Sequence, residues 1–230
     1  MTVETKAESL PELVHNSIRG DIIAGRIAPG SALRLSALAQ KYDVSMSVVR
    51  EALIRLAEHN LVTATPKTGF RVVETSRFDI LDLLELRIEL EAFALRKSIA
   101  LGGVQWEARV VAAHHVLERA QLAGDPDTGT TEEWAIAHSD FHEALGSACA
   151  SPRLLAMTNS LRDGAEIYRQ LSVNTEKSAA RDVEGEHRNL MTLAVDRQTE
   201  KAVDALTSHL RLTAESLLDS LLNAAAGQAK

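Results

Sequence analysis

The stretch Leu35-Ser36-Ala37-Leu38-Ala39-Gln40-Lys41-Tyr42-Asp43-Val44-Ser45-Met46-Ser47-Val48-Val49-Arg50-Glu51-Ala52-Leu53-Ile54-Arg55-Leu56-Ala57-Glu58 decides the fold. Leu35, Leu38 and Ala39 give a short helix. Asp43-Val44-Ser45 then offers a turn in which Ser45 is the N-cap of a second helix over 46–58. On that second helix Val49, Leu53 and Leu56 share an apolar side. Met46, Ser47 and Arg50 fall toward its N-terminal outer side, where a recognition helix meets base edges and phosphates.

The reading extends in both directions from this helix, turn, helix. Upstream, Ser9-Leu10-Pro11-Glu12 has capping-box spacing, and Val14, Ile18 and Ile22 line one face of a first helix expected to stop at Gly25. Pro29-Gly30 is a turn. Downstream the period changes from helical to alternating: 61–65 and 70–73 read as two strands joined by Pro66-Lys67-Thr68-Gly69, a small β wing. From Ser76 onward the pattern is helical. Breaks at 101–103, 124–129, 151–152, 172–174 and 196–198 leave about six helices, whose short connections favour an antiparallel bundle. The expected architecture is therefore mainly α, with a winged helix-turn-helix over 1–75 and an all-α bundle over 76–230.

Composition agrees with this division. The 230 residues are 45% hydrophobic but only 3% aromatic, which favours helices over an all-β fold. The net charge of -7 is unevenly spread. Residues 1–75 carry 9 Lys/Arg against 8 Asp/Glu, and residues 76–230 carry 16 against 24. Phosphate attraction acts over about one Debye length, so a nearly neutral head can bind DNA ahead of an acidic body. No run approaches the roughly 20 apolar residues that cross a bilayer, and Glu4, Glu8 and Glu12 stand where a signal segment would be basic and then apolar. A cytoplasmic location is expected, and Cys149 is expected to be a small core residue.

Residues 14–73 resemble the winged helix-turn-helix of the GntR family of regulators. The likeness runs through Val14-His15, Ile18-Arg19, Ile22-Ile23, Gly25, Pro29-Gly30, Leu33, Leu38-Ala39, Val44-Ser45, Val49-Arg50-Glu51-Ala52-Leu53, Arg55-Leu56, Leu61-Val62 and Gly69. The rest of the chain resembles the ligand-binding FCD domain of the FadR subfamily, through Leu86-Arg87 with Leu90-Glu91, Phe141-His142 with Leu145, Glu186-His187-Arg188 and Ser208-His209-Leu210. The resemblance implies a homodimeric transcription regulator, a repressor in the first instance, that binds double-stranded operator DNA and a small organic acid effector. Contacts to DNA are expected from Arg34, Ser45, Met46, Ser47, Arg50, Lys67 and Gly69. Met46 departs from the family, which usually has a basic residue there, and His59-Asn60 stands where the family has Glu-Gly.

Four histidines carry the chemistry of the second half. His138 and His142 are four apart on one helix, so both rings can project from one face. His187 and His209 lie 11 residues before and 11 after position 198, in the turn of a helical hairpin. At 1.5 Å per residue each sits roughly 16 Å from that turn, level with the other. The resemblance points to His142, His187 and His209 as metal ligands and puts an Asp where His138 stands. Three neutral imidazoles suit a divalent transition metal, Zn²⁺ first and Ni²⁺ or Fe²⁺ as alternatives, with an effector carboxylate completing the sphere. Four imidazoles would instead make a saturated, structural site. A polar cluster without metal is the bland reading.

Arg87 lies where the resembling domains often face the effector, and its fork suits a carboxylate. The competing reading is an Arg87–Glu91 ion pair on a solvated face. Tyr168 and Arg169 are further candidates for effector contacts. His15, His59, His114 and His115 read as surface or packing residues. Catalysis is disfavoured: Glu184-Gly185-Glu186-His187 is one Glu-x-x-His unit where a di-iron bundle needs two, and no Gly-x-Ser-x-Gly elbow, P-loop or Gly-x-Gly-x-x-Gly fingerprint occurs. An alternative function keeps the DNA head but makes the metal itself the signal.

Overall fold

A computed structural model describes residues 9–23, 26–58, 61–66, 69–74, 76–120, 131–172 and 181–227. It divides into two compact units, Met1–Glu74 and Thr75–Lys230.

The first unit begins with α1 (Leu10–Ile23). Glu12 reaches back to the Ser9 amide across 3.4 Å, the reciprocal half of a capping box. Its four-residue apolar spacing buries Val14, Ile18 and Ile22 against α3. The expected stop at Gly25 lies outside the described residues. α2 (Leu35–Tyr42) ends at Asp43, which adopts the left-handed conformation at φ 52°. This reversal delivers the chain to α3 (Met46–Glu58). The Ser45 hydroxyl accepts from the Val48 amide at 3.4 Å as N-cap, and Val49, Ala52, Leu53 and Leu56 are fully buried.

β2 (Val62–Thr65) and β3 (Gly69–Val72) pair antiparallel, Val62 opposite Val72 and Thr65 opposite Gly69. Gly69 has φ 84°, a conformation in which a Cβ is strained, so glycine suits the end of this wing. The sequence reading has two strands; the sheet has three. β1 (Ala32–Leu33) adds to the other edge of β3, giving the order β1-β3-β2. Two residues are too few to show a period, which is why pattern alone passes over it.

The second unit is helical throughout its described residues: α4 (Arg77–Leu101), α5 (Val104–Arg119), α6 (Glu132–Gly146), α7 (Pro152–Ser172), α8 (Val183–Val195) and α9 (Thr199–Gly227). Ser76 caps α4 by accepting from the Asp79 amide, and Thr131 caps α6 by accepting from the Trp134 amide. α4 runs along α9, α7 and α6, while α5 packs on α6 and α8. Between them lies a core of Leu95, Ile99, Trp106, Val110, Phe141, Leu190 and Leu206. Cys149 is fully buried at its margin with Ala94 and Leu154. The turn between α8 and α9 falls at Asp196-Arg197-Gln198. There the Arg197 guanidinium donates to the carbonyls of Ile99 and Gly102, tying the hairpin to the α4–α5 connection. No described helix is long and apolar enough to cross a membrane.

Candidate metal centre

Three helices bring four imidazoles together. α6 presents His138 and His142 one turn apart, α8 presents His187 and α9 presents His209. One ring nitrogen from each lies within 4.8 Å of the others. The rings of His187 and His209 are 4.6 Å apart between centroids although 22 residues separate them in sequence, because the hairpin turn is equidistant from both. His142 is 5.6 Å from His187 and 5.2 Å from His209; His138 is 4.6 Å from His142 and 5.0 Å from His187.

The donors suit a cation. His142 is 3% exposed, and both its ring nitrogens are enclosed without a hydrogen bond. Burial, reinforced by His209 and His187, holds its pKa well below the ordinary histidine value, so the ring is neutral with a lone pair to give. His209 is also kept low, by burial first, against the opposing pull of Glu186. His138 is only partly covered and stacks on Trp134 at 4.5 Å and 16°. A tetrahedral ion with bonds near 2.0 to 2.1 Å needs nitrogens about 3.3 Å apart, so the cage would contract slightly around one. Asp140 lies on the exposed side of α6, two residues and about 200° round from His142.

Behind His209 stands Glu186. Its Oε2 is 2.8 Å from His209 Nδ1, and Arg181 grips both carboxylate oxygens at 2.6 and 2.5 Å. Burial would raise this carboxyl, but Arg181 and His209 outweigh it and bring it down to about 2. α8 starts correctly for this purpose because Asp182 caps it, accepting from the Gly185 amide at 2.9 Å. A Cβ at Gly185 would run into the Asp182 carboxylate.

On the far side of His142 lies a buried carboxylate between two guanidiniums. Glu91, 4% exposed, accepts from Arg87 Nε at 2.7 Å and from Arg162 Nη1 at 3.4 Å, and its Oε2 is 3.9 Å from His142 Nδ1. Burial pushes this carboxyl up, and the two arginines more than reverse it. The Arg87–Glu91 pair anticipated on a solvated face therefore forms, but inside the bundle, with the Arg87 side chain 11% exposed. A small cleft lined by Glu91, Ala94, His142, Leu145, Arg162 and Leu206 opens beside it.

Tyr168 is not brought to this cleft. It packs with Ile80, Ala214 and Leu217 in a separate cluster, where its hydroxyl donates to Asp79 in the first turn of α4. The side chain of Arg169 lies outside the described residues. Arg162, Arg181 and Glu186 escape sequence reasoning about the site. Glu186 at least adjoins His187, whereas Arg162 meets Glu91 across 71 positions and no periodicity announces it. His114 is buried and meets Phe141 edge-on at 5.6 Å, a packing role.

In the first unit Arg34, Ser45, Met46, Ser47, Arg50 and Gly69 are all exposed, Met46 at 56%. Lys67 lies outside the described residues.

Comparison with known proteins places these two units. Residues 10–72 match the model for bacterial regulatory proteins of the gntR family, and residues 82–212 match the FCD domain. The chain is 39% identical over 204 residues to an uncharacterised HTH-type transcriptional regulator, BphR, of Paraburkholderia xenovorans (strain LB400), covering 88% of this chain and 82% of that one. It is 33% identical over 196 residues to the HTH-type transcriptional repressor GlaR of Escherichia coli (strain K12), covering 84% and 89%. Among solved structures, McbR/YncC of E. coli superposes with a TM-score of 0.77 at 22% identity over 93% of this chain and 99% of that one, a likeness of fold.

Proposed function

The chain belongs to the GntR family of bacterial transcription regulators, with an FCD domain behind its winged helix-turn-helix, and from that premise we propose that it is a homodimeric repressor whose grip on operator DNA is set by a small carboxylate bound at a metal-containing site in the bundle. The observation that carries the reading is the convergence of four imidazoles, one of them with both nitrogens buried and unbonded.

His142, His187 and His209 would hold a divalent ion, Zn²⁺ or alternatively Ni²⁺ or Fe²⁺, with His138 beside them where the family has Asp. When bound, the ion supplies a Lewis-acidic seat for one carboxylate oxygen of the effector. Arg87 and Arg162 supply the second attraction. Their planar forks already hold the Glu91 carboxylate next to His142, so an effector carboxylate entering the cleft competes with an internal one. The consequence for DNA follows from linkage. An effector that binds the DNA-free arrangement better by about 1 to 3 kcal/mol weakens operator affinity roughly 5- to 150-fold. A two-fold dimer suits a two-fold operator, with Arg34, Ser45, Met46, Ser47, Arg50, Lys67 and Gly69 reading or bracketing each half-site.

A second reading is favoured by one observation: four imidazoles are enough to fill a tetrahedral sphere, leaving no seat for a carboxylate. In that case the metal itself is the signal. One experiment separates them. Protein purified without a metal-affinity tag is assayed for bound metal, beside a His142→Ala/His187→Ala variant, and operator affinity is then measured against added metal and against a panel of small carboxylates. About one ion per chain, lost in the variant, with affinity responding to a carboxylate at constant metal, supports the first reading. Affinity that follows metal alone supports the second. No metal retained even after incubation with Zn²⁺ or Ni²⁺ removes both.

A further inference from the structure

The hydrogen-bond pattern behind His209 fixes something finer than its position. We propose that Glu186, clamped by Arg181, is a positioning residue that sets the tautomer of His209, holding the proton on Nδ1 so that Nε2 faces the cage as a lone-pair donor before any ion arrives. The inference rests on the cage being a metal site for its purpose, though not for its geometry.

The assignment comes from counting hydrogens. His209 Nδ1 has two polar neighbours, Glu186 Oε2 at 2.8 Å and Arg181 Nη2 at 3.2 Å. Were Nδ1 unprotonated, it would have to accept from Arg181 Nη2. That nitrogen has two hydrogens, and both are placed elsewhere: one on Glu186 Oε2 at 2.5 Å and one on the His209 carbonyl at 2.9 Å. Arg181 Nε is committed to Glu186 Oε1 at 2.6 Å, and Nη1 to Thr213 Oγ1 at 2.9 Å. Nη2 is the Arg181 nitrogen within hydrogen-bond distance of Nδ1, and neither of its hydrogens remains for it. An unprotonated Nδ1 would also turn its lone pair toward a carboxylate, which is acceptor-only when ionised. The proton therefore sits on Nδ1 and is donated to Glu186.

The same clamp joins two helices. Glu186 is in the first turn of α8, next to His187, while His209 and Thr213 are on successive turns of α9, and Arg181 touches all three of Glu186, His209 and Thr213. The rings of His187 and His209 are thus set against each other by a charged bracket outside the cage. Carboxylates that orient a ligating histidine in this way typically alter metal affinity 10- to 100-fold when removed. His142 provides the contrast, since neither of its nitrogens has a hydrogen-bond partner to select a tautomer.

The test uses full-length protein labelled with [¹⁵N]histidine and stripped of metal. Long-range ¹H–¹⁵N correlation at neutral pH reads which nitrogen of His209 is protonated, with assignment from a His209→Gln variant. Wild type is expected to be the Nδ1–H tautomer. Glu186→Leu is expected to shift it toward Nε2–H and to weaken Zn²⁺ binding, measured by chelator competition, about 10- to 100-fold. Glu186→Gln keeps an acceptor oxygen and is expected to retain Nδ1–H with less than about a tenfold loss; Glu186→Ala, which also removes the acceptor, takes the place of the leucine variant if that one fails to fold by circular dichroism. An Nε2–H ring in wild type, or a tautomer unmoved when the Glu186 acceptor is removed, overturns the proposal. Failure of wild type to bind Zn²⁺ would remove the metal reading, while the tautomer signal would still decide for or against Glu186.

Discussion

His142 Nδ1 stands 3.9 Å from the Glu91 carboxylate, with both side chains buried, and this short distance puts the imidazole cage and the arginine-held carboxylate in one continuous polar region of the bundle. Glu91 is the anion on which two buried cations depend. Its replacement by alanine would leave the largely covered guanidiniums of Arg87 and Arg162 without their carboxylate in the interior of the bundle. Breaking a buried pair by removing one partner costs about 3 to 5 kcal/mol, because the surviving charge stays desolvated. Glu91→Ala is therefore expected to lower stability by that amount in urea unfolding, and a variant as stable as wild type would show that the two guanidiniums reach water.

Acid should unfold the metal-free protein through its histidines. The pKa values of His142 and His209 in the folded chain lie below the unfolded value of 6.5. As pH falls through 6.5 the unfolded chain takes up protons that the folded chain refuses, so stability declines. Each such histidine contributes a slope of up to about 1.4 kcal/mol per pH unit below that point. Stability measured from pH 7 to 5 should thus drop steeply in wild type and less steeply in His142→Ala. Equal slopes in the two proteins would mean that His142 titrates as though solvated.

What could be read from sequence depended on periodicity and symmetry. Val14, Ile18 and Ile22, like Val49, Leu53 and Leu56, recur at helical spacing, and all six are buried where that spacing puts them. The meeting of His187 with His209 was legible because the turn at 196–198 lies midway between them. β1 was not, since Ala32–Leu33 is a strand only by virtue of β3 beside it. Nor were the polar brackets. Arg162 finds Glu91 across 71 positions and Arg181 finds His209 across 28, and partners at such separations leave no trace in local pattern. Tyr168 illustrates the reverse: a polar aromatic expected to contact the effector turns to Asp79 instead.

Asp21 should matter to the DNA-binding unit out of proportion to its place on α1. Its carboxylate accepts from Arg26 at 2.6 Å, from Tyr42 at 2.7 Å and from Lys41, so it ties α1 to the end of α2 just before the helix-turn-helix reversal. Burial raises its pKa, and Lys41, Tyr42 and Arg26 together overturn that, bringing it to about 2. The folded value lies below the unfolded 3.8, so this contribution is fully present above pH 3.8 and is lost as pH falls toward 2. Asp21→Ala is expected to cost about 1.5 to 3 kcal/mol, the range for hydrogen bonds to a charged group. Isolated loss of that unit's unfolding transition to lower denaturant would confirm it; an unchanged transition would count against it.

Met46 is an apolar residue 56% exposed at the outward start of α3, where the resemblance to the GntR family implies a basic one. If α3 is the recognition helix, Arg50 on its exposed side reads bases and Met46 makes no phosphate contact. Arg50→Ala should then cost about 1 to 3 kcal/mol of operator affinity and relax preference at one base pair of each half-site. Met46→Arg should do something different. A new cation beside the backbone would strengthen binding to operator and unrelated duplex alike, and would steepen the dependence of log affinity on log salt by about 1 per phosphate engaged. Titrations of both variants on operator and on scrambled duplex, at several salt concentrations, distinguish the two effects. Were Met46→Arg to leave the salt slope unchanged, the N-terminus of α3 would not face the DNA backbone, and the contact surface would have to be sought elsewhere on the head.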